Sequence, residues 1–313
     1  MRAERDVARA LDRLSIGFAV LVAISGALIV LGALVRAHHA GLACPDWPLC
    51  FGEFVPRMDL RVAFEWSHRV LAGSVALLYG ALALASWRQP ALHDSTRRLI
   101  VLGALLLGVQ ILLGALTVWE LLAAWTVTSH LVTGNGFALV VLLIALSLRE
   151  SAHPPADRRP PARAARFLLL AGALLLLLQL VLGGLVSSRY AGLACPEWPT
   201  CSGGLWFPSW EGGVGLQLLH RITGYALALV LAAAALACRH AARLRALSAA
   251  IAGAAFAQVC VGVANVLFRL PVEVTALHSA LACALVLALA AANREVQLAA
   301  RATPGGAPPG EPC

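Results

Sequence analysis

Apolar and polar positions alternate along this chain on the scale of whole segments. Eight apolar runs, near residues 15–36, 66–87, 98–118, 124–147, 167–187, 215–237, 246–268 and 274–293, are separated by short polar stretches. Each run is about 20 residues or more, enough for a helix to cross the ~30 Å hydrocarbon core of a bilayer. The pattern predicts an all-α integral membrane protein with eight transmembrane helices. Residues 149–166 include the polar, Pro-rich stretch His153–Pro161 and read as a linker. They divide the chain into a half at 1–148 and a half at 167–296. Residues 297–313 are largely Gly/Pro-rich and are expected to be a disordered tail.

The two halves repeat one another. Ala40-Gly-Leu-Ala-Cys-Pro-Asp-Trp-Pro-Leu-Cys50 recurs as Ala191-Gly-Leu-Ala-Cys-Pro-Glu-Trp-Pro-Thr-Cys201. Gly32-Ala-Leu-Val35 matches Gly183-Gly-Leu-Val186, and His68-Arg69 matches His220-Arg221. Gln110 and Gln258 fall mid-span in the third run of each half, and His130 and His278 in the fourth. Four spans per half return the chain to the same side, so the repeats are parallel. The expected architecture is two tandem four-helix bundles related by a pseudo-twofold axis along the membrane normal.

Charge gives orientation. The chain is 60% apolar and only 13% charged, with a net charge of +8. Arg36, Arg57, Arg61, Arg189 and Arg269 fall on the side of the Cys motifs, and most other arginines fall opposite, including Arg2, Arg5, Arg9, Arg13, Arg158 and Arg159. The basic excess therefore marks the cytoplasmic side, with both termini inside, and does not imply nucleic acid as a partner. Residues 1–13 carry acids as well as arginine and precede a long apolar run without a small-residue cleavage site. They read as the start of a retained first span in a bacterial inner membrane.

Ionisable groups inside a membrane are costly and point to function. His68 and His220 fall near the outer ends of the second and sixth spans, and His130 and His278 about two turns into the fourth and eighth. Two imidazoles at similar depth, on alternate helices of a bundle, suit the axial positions of a heme iron. Arg69 and Arg221 are placed to pair with heme propionates. Two blander readings remain: buried histidines bonded to their neighbours, and a non-heme metal. No acid or cysteine cluster other than Glu65 adds ligands at that depth. His38, His39, His93, His153 and His240 are loop or cytoplasmic residues without an assigned role.

Cys44 and Cys50, and Cys195 and Cys201, lie on the outer, oxidising side, where disulfides persist. Three readings stand: a staple shaping a lid over the heme edge, a redox-active thiol pair in the first loop, and metal binding. One position breaks the symmetry. Glu65 precedes His68 by one turn, and Gln217 takes the corresponding place before His220. A carboxylate there can move a proton, and an amide cannot. The first half is therefore expected to host the reaction, against the alternative that Glu65 is an interfacial charge.

These residues resemble the heme A synthase family. The resemblance rests on eight spans in two halves, the Gly-Leu-x-Cys-Pro-Asp-Trp-Pro-x-Cys loop, Glu-x-x-His on the second span, and histidines on spans four, six and eight. It implies oxidation of the C8 methyl of heme O to the formyl group of heme A, by two hydroxylations and loss of water. It implies His68 and His130 as ligands of the substrate heme, Glu65 as a catalytic group, and His220 and His278 as ligands of a resident heme B. It pairs Cys44 with Cys50 as an outer-loop couple, assisting heme transfer or electron delivery, and favours a structural disulfide for Cys195 and Cys201. Expected partners are the lipid bilayer, an electron donor and the heme O synthase, a farnesyltransferase that would hand over a water-insoluble substrate. Abundant small residues allow self-association. The alternatives are a bis-His cytochrome b-type quinol oxidoreductase, a membrane thiol oxidoreductase and a heme transporter. The first of these gives no reason for Glu65 in one half only, or for the Cys loops.

Overall fold

The structure, a computed structural model, describes residues 2–153 and 161–302. Among them are eight α-helices: α1 (Arg2–Ala37), α2 (Leu60–Trp87), α3 (Asp94–Trp119), α4 (Ala124–Ala152), α5 (Arg163–Ser188), α6 (Gly212–Ala237), α7 (Ala242–Leu267) and α8 (Val272–Ala302). All eight are long and apolar enough to cross a membrane, and the protein is a multi-pass membrane protein. The helices overrun the apolar stretches. An apolar run marks only the part within hydrocarbon, and Ala, Arg, Glu and Leu continue a helix beyond it. Thus α2 begins at Leu60, where the Asp59 carboxylate accepts from the Val62 amide at 2.9 Å. α4 and α5 extend into the stretch read as a linker, and α8 continues through Ala302 into the stretch read as a tail. Residues 154–160 and 303–313 lie outside the described residues.

Large apolar side chains such as Leu77, Leu105, Phe167 and Leu229 are exposed and face lipid. The buried apolar residues form two main clusters. One holds Phe18, Leu21, Tyr79, Val141 and Ile144 from α1, α2 and α4. The other holds Leu169, Leu231, Ile251, Leu285 and Leu289 from α5 to α8. Within the first half α1 packs on α2 and α4, and α3 on α4; α5 with α6 and α8, and α7 with α8, repeat this. Between halves, α1 meets α8 as α5 meets α4, and α4 touches α8. The set of packed helix pairs is unchanged when the halves are exchanged.

The four odd helices end alike. His39, Leu121 and Leu122, Tyr190, and Arg269 and Leu270 take left-handed backbone conformations just past the ends of α1, α3, α5 and α7. The amide of Ala40 donates to the Val35 carbonyl, Leu122 to Thr117, Ala191 to Val186 and Leu270 to Asn265. These bonds satisfy carbonyls that a helix end would leave bare. They turn the chain sharply on one face of the molecule, the face that carries both Cys loops.

Polar bonds join the halves at both faces. On the loop face Arg36 donates to the Ser187 carbonyl at 2.5 Å, and its guanidinium sits 4.3 Å over the Tyr190 ring. On the opposite face Arg294 grips Glu150 with two bonds of 2.8 and 3.1 Å. Arg294→Ala should lower stability by about 1 kcal/mol, as for a partly buried two-point ion pair. Thermal unfolding in detergent would register this as a drop of a few degrees, and an unchanged midpoint would show that the pair contributes nothing.

Candidate functional site

Each Cys motif folds as a small unit on the helix that follows it. Cys44 and Cys50 form a disulfide, as do Cys195 and Cys201. All four cysteines are buried, the first pair against Val62 of α2 and the second against Leu218 of α6. The Asp46 carboxylate accepts from the amides of Phe51 and Gly52, both at 2.7 Å. Glu197 does the same for Gly203 and Gly204, at 2.9 and 3.1 Å. These amides, Gly52 first and Gly204 first, hold the two carboxyls below the usual carboxylate range. Gly41 and Gly192 admit Leu122 and Leu270, which would stand 3.2 and 3.0 Å from a methyl at those positions. The turns after α3 and α7 thereby pack on the loops.

Arg69 and Arg221 fasten the loops to α2 and α6. Arg69 donates to the carbonyls of Asp46 and Leu49, both at 2.6 Å, and of Cys44 at 3.2 Å. Arg221 donates to those of Thr200 at 3.1 Å and Cys195 at 2.7 Å. The sequence suggested propionate partners for these arginines. In the structure the guanidiniums hold loop carbonyls, and a propionate would have to displace them.

Arg69 has one further partner. Its Nε donates to Glu65 Oε1 at 2.8 Å, and both side chains are largely buried. The opposite charge beside the carboxylate offsets part of its desolvation. Glu65 therefore lies between the disulfide loop and the histidine one turn further on. Gln217 instead donates to the Gly192 carbonyl at 3.2 Å, so the second half has no carboxylate here.

The four histidines are set by register. His68 and His220 are eight residues after the first of α2 and α6, and His130 and His278 are six residues after the first of α4 and α8. His68 and His130 are within electrostatic reach of one another, as are His220 and His278. Each ring lies on a glycine of the preceding helix. A methyl at Gly32, Gly114, Gly183 or Gly262 would stand 3.2, 3.3, 3.1 or 3.2 Å from Cε1 of His68, His130, His220 or His278. All four Nδ1 atoms are buried without a hydrogen-bond partner. The Cε1–Nδ1 edge is thus pressed on bare backbone, leaving Nε2 of His68, His220 and His278 for coordination; that of His130 meets the Gln110 amide nitrogen at 3.4 Å, a contact that an iron would have to displace.

This donor set fits a porphyrin iron. Among the described residues no three His, Cys, Asp or Glu side chains converge on one point, so the protein alone does not complete a metal sphere. Two imidazoles per half would supply two ligands to such an iron, and a macrocycle the other four. Gly114 and Gly262 escaped the sequence reading, although they share the repeat register of His130 and His278. Gln179 also escaped it. A lone amide inside an apolar helix was the available signal, but its first-half counterpart is Leu28.

Fold and site together define a polytopic helical membrane protein with paired intramembrane histidines beneath two stapled loops. Residues 15–64 and 60–290 match the model of the COX15-CtaA family, described as cytochrome oxidase assembly protein, and the chain belongs to that family. A heme A synthase of Shewanella oneidensis is 30% identical over 322 residues, covering 90% of this chain and 94% of its own. One from Shouchella clausii is 34% identical over 214 residues, covering 66% and 70%. One from Halalkalibacterium halodurans is 31% identical over 225 residues, covering 69% and 74%.

Two outcomes follow from this geometry. Gly183→Ala should be nearly neutral, because a small shift of His220 accommodates one methyl and alanine favours the helix. Gly183→Val should cost about 1–3 kcal/mol by overpacking against the imidazole, measured by thermal unfolding; equal stability of the two variants would dismiss the cradle. The loops should also respond to acid. Because the folded Asp46 carboxyl is held below its ordinary 3.8, its stabilisation is complete above that value and is lost as pH falls through the lowered one. Protection of the Phe51 and Gly52 amides from hydrogen exchange should therefore stay level from pH 8 to about 5 and fall only below about pH 4. Asp46→Asn should weaken protection throughout that range.

Proposed function

We propose that this protein converts heme O to heme A, oxidising the C8 methyl of the porphyrin to a formyl group. The observation that carries the reading is the set of four glycine-cradled imidazoles, two to each half, with a buried carboxylate in one half only. His68 and His130 hold the substrate heme in the N-terminal half, residues 1–148. His220 and His278 hold a resident heme B in the C-terminal half, residues 167–296. When bound, the hemes supply the redox chemistry.

The chain supplies position and protons. Glu65 shares a helix face with His68 and acts as the acid–base group of the substrate site. Arg69 orients Glu65 at rest through its Nε–Oε1 bond, and the same guanidinium ties it to the Cys44–Cys50 loop. Gln217 leaves the second site without a proton carrier, which suits a fixed electron relay. Buried disulfides clamped by arginine support the staple reading of both Cys pairs, with each loop closing the outer end of its bundle. The farnesyl tail of heme O favours a site open to lipid, supplied directly by the heme O synthase. The arginine distribution supports a bacterial inner membrane location with both termini cytoplasmic.

Extraction of the pigments from purified protein tests the assignment. Heme B with heme O and heme A is expected. Heme B alone in both halves would point to a cytochrome b-type electron carrier. Glu65→Gln should retain the heme B spectrum and reduce heme A formation by at least about a hundredfold, the usual weight of a general acid–base group. Normal heme A output from that variant would remove Glu65 from the mechanism.

A further inference from the structure

Three of the four site histidines carry a restraint that the fourth lacks. Gln110 of α3 donates to the carbonyl oxygen of His130 at 3.1 Å. Gln179 of α5 donates to that of His220 at 3.0 Å, and Gln258 of α7 to that of His278 at 3.0 Å. In two cases a threonine one turn past the histidine completes a clamp. Thr133 donates to Gln110 Oε1, and Thr223 to Gln179 Oε1, each at 2.5 Å. Each amide ties the histidine's own peptide to the preceding helix, within hydrocarbon where water does not compete.

His68 stands apart. In the repeat register Leu28 takes the place of Gln179, and Leu71 the place of Thr223. Among the described residues no side chain donates to the His68 carbonyl. The packing differs in the same sense. α6 packs firmly on both α5 and α7, whereas α2 leans on α1 and touches α3 only slightly. Tyr79 bonds α2 to α3 through its hydroxyl and the Ile100 carbonyl, at 2.5 Å. That bond lies about three turns from His68, toward the face opposite the loops.

We propose that α2 is the moving wall of the substrate site. It swings about the Tyr79 contact, carries His68 outward, and admits or releases the lipophilic porphyrin through the seam between α2 and α3. Gln179 and Thr223 are positioning residues that lock the equivalent helix, α6, so that the second porphyrin stays. Gln110 and Thr133 fix His130 as the stationary ligand of the substrate site. The proposal rests on the two-heme reading above and explains why one site turns over while its duplicate does not.

Transplanting the clamp tests it. Leu28→Gln with Leu71→Thr installs the clamp beside His68; Gln179→Leu with Thr223→Leu removes it beside His220. Protein in lipid nanodiscs is mixed with excess apomyoglobin, and transfer of each heme is followed by its own visible bands. The first variant should lose heme O and heme A about tenfold more slowly, the size expected of one net buried hydrogen bond, with heme B loss unchanged. The second should lose heme B about tenfold faster. Unchanged rates in both variants, with bis-imidazole spectra intact, would overturn the clamp and leave the two-heme reading standing. Absence of any bound heme in the parent protein would overturn that reading and this proposal together. Should the first variant fail to fold, unchanged heme B loss in the second would by itself refute the clamp.

Discussion

The structure turns on the contact between an imidazole edge and the bare α-carbon of a glycine one helix back. A histidine within hydrocarbon is expensive unless its ring is held and its polar atoms are used. Here four rings are held in the same way, at four matching registers, by Gly32, Gly114, Gly183 and Gly262. The helices approach closely for this, and a residue without a side chain leaves the ring its room. With Nδ1 sealed, chemistry is left to Nε2, and the pairing of helices follows from where these contacts must form.

The loops extend the same economy to the membrane surface. Every polar atom that shapes them is used locally: a carboxylate on two amides, a guanidinium on two or three carbonyls, a disulfide buried beneath both. The first loop has one bond to a carboxylate of the following helix that the second lacks, that from Arg69 to Glu65. That bond links a rigid outer lid to the carboxylate proposed to handle protons. On that proposal, loop order and proton chemistry in the first half share a residue, and in the second half they do not.

The two halves repeat one another, and on the proposed function a few substitutions separate their roles. Glu65 against Gln217 divides the halves by chemistry. Leu28 and Leu71 against Gln179 and Thr223 divide them by mechanical restraint. On the proposed reading, both differences favour change in the first half and permanence in the second. The same helix pairs pack within and between halves in both, although α2 meets α3 far less closely than α6 meets α7.

The sequence by itself determined the membrane class, the eight spans, the internal repeat and the family. Each is written in a run of apolar residues or in a spaced motif, and hydrocarbon leaves a backbone few choices besides the helix. It also brought forward Glu65 and the four histidines, because charged or polar side chains are rare in apolar runs. Tertiary structure decided what those residues touch. Glycine cradles, the commitment of Arg69 and Arg221 to loop carbonyls, and the amide of Gln179 on His220 all join segments distant in sequence. Their partners are ordinary glycines and main-chain oxygens, which carry no mark of their own. Only helices brought within a few ångströms reveal which of them are used.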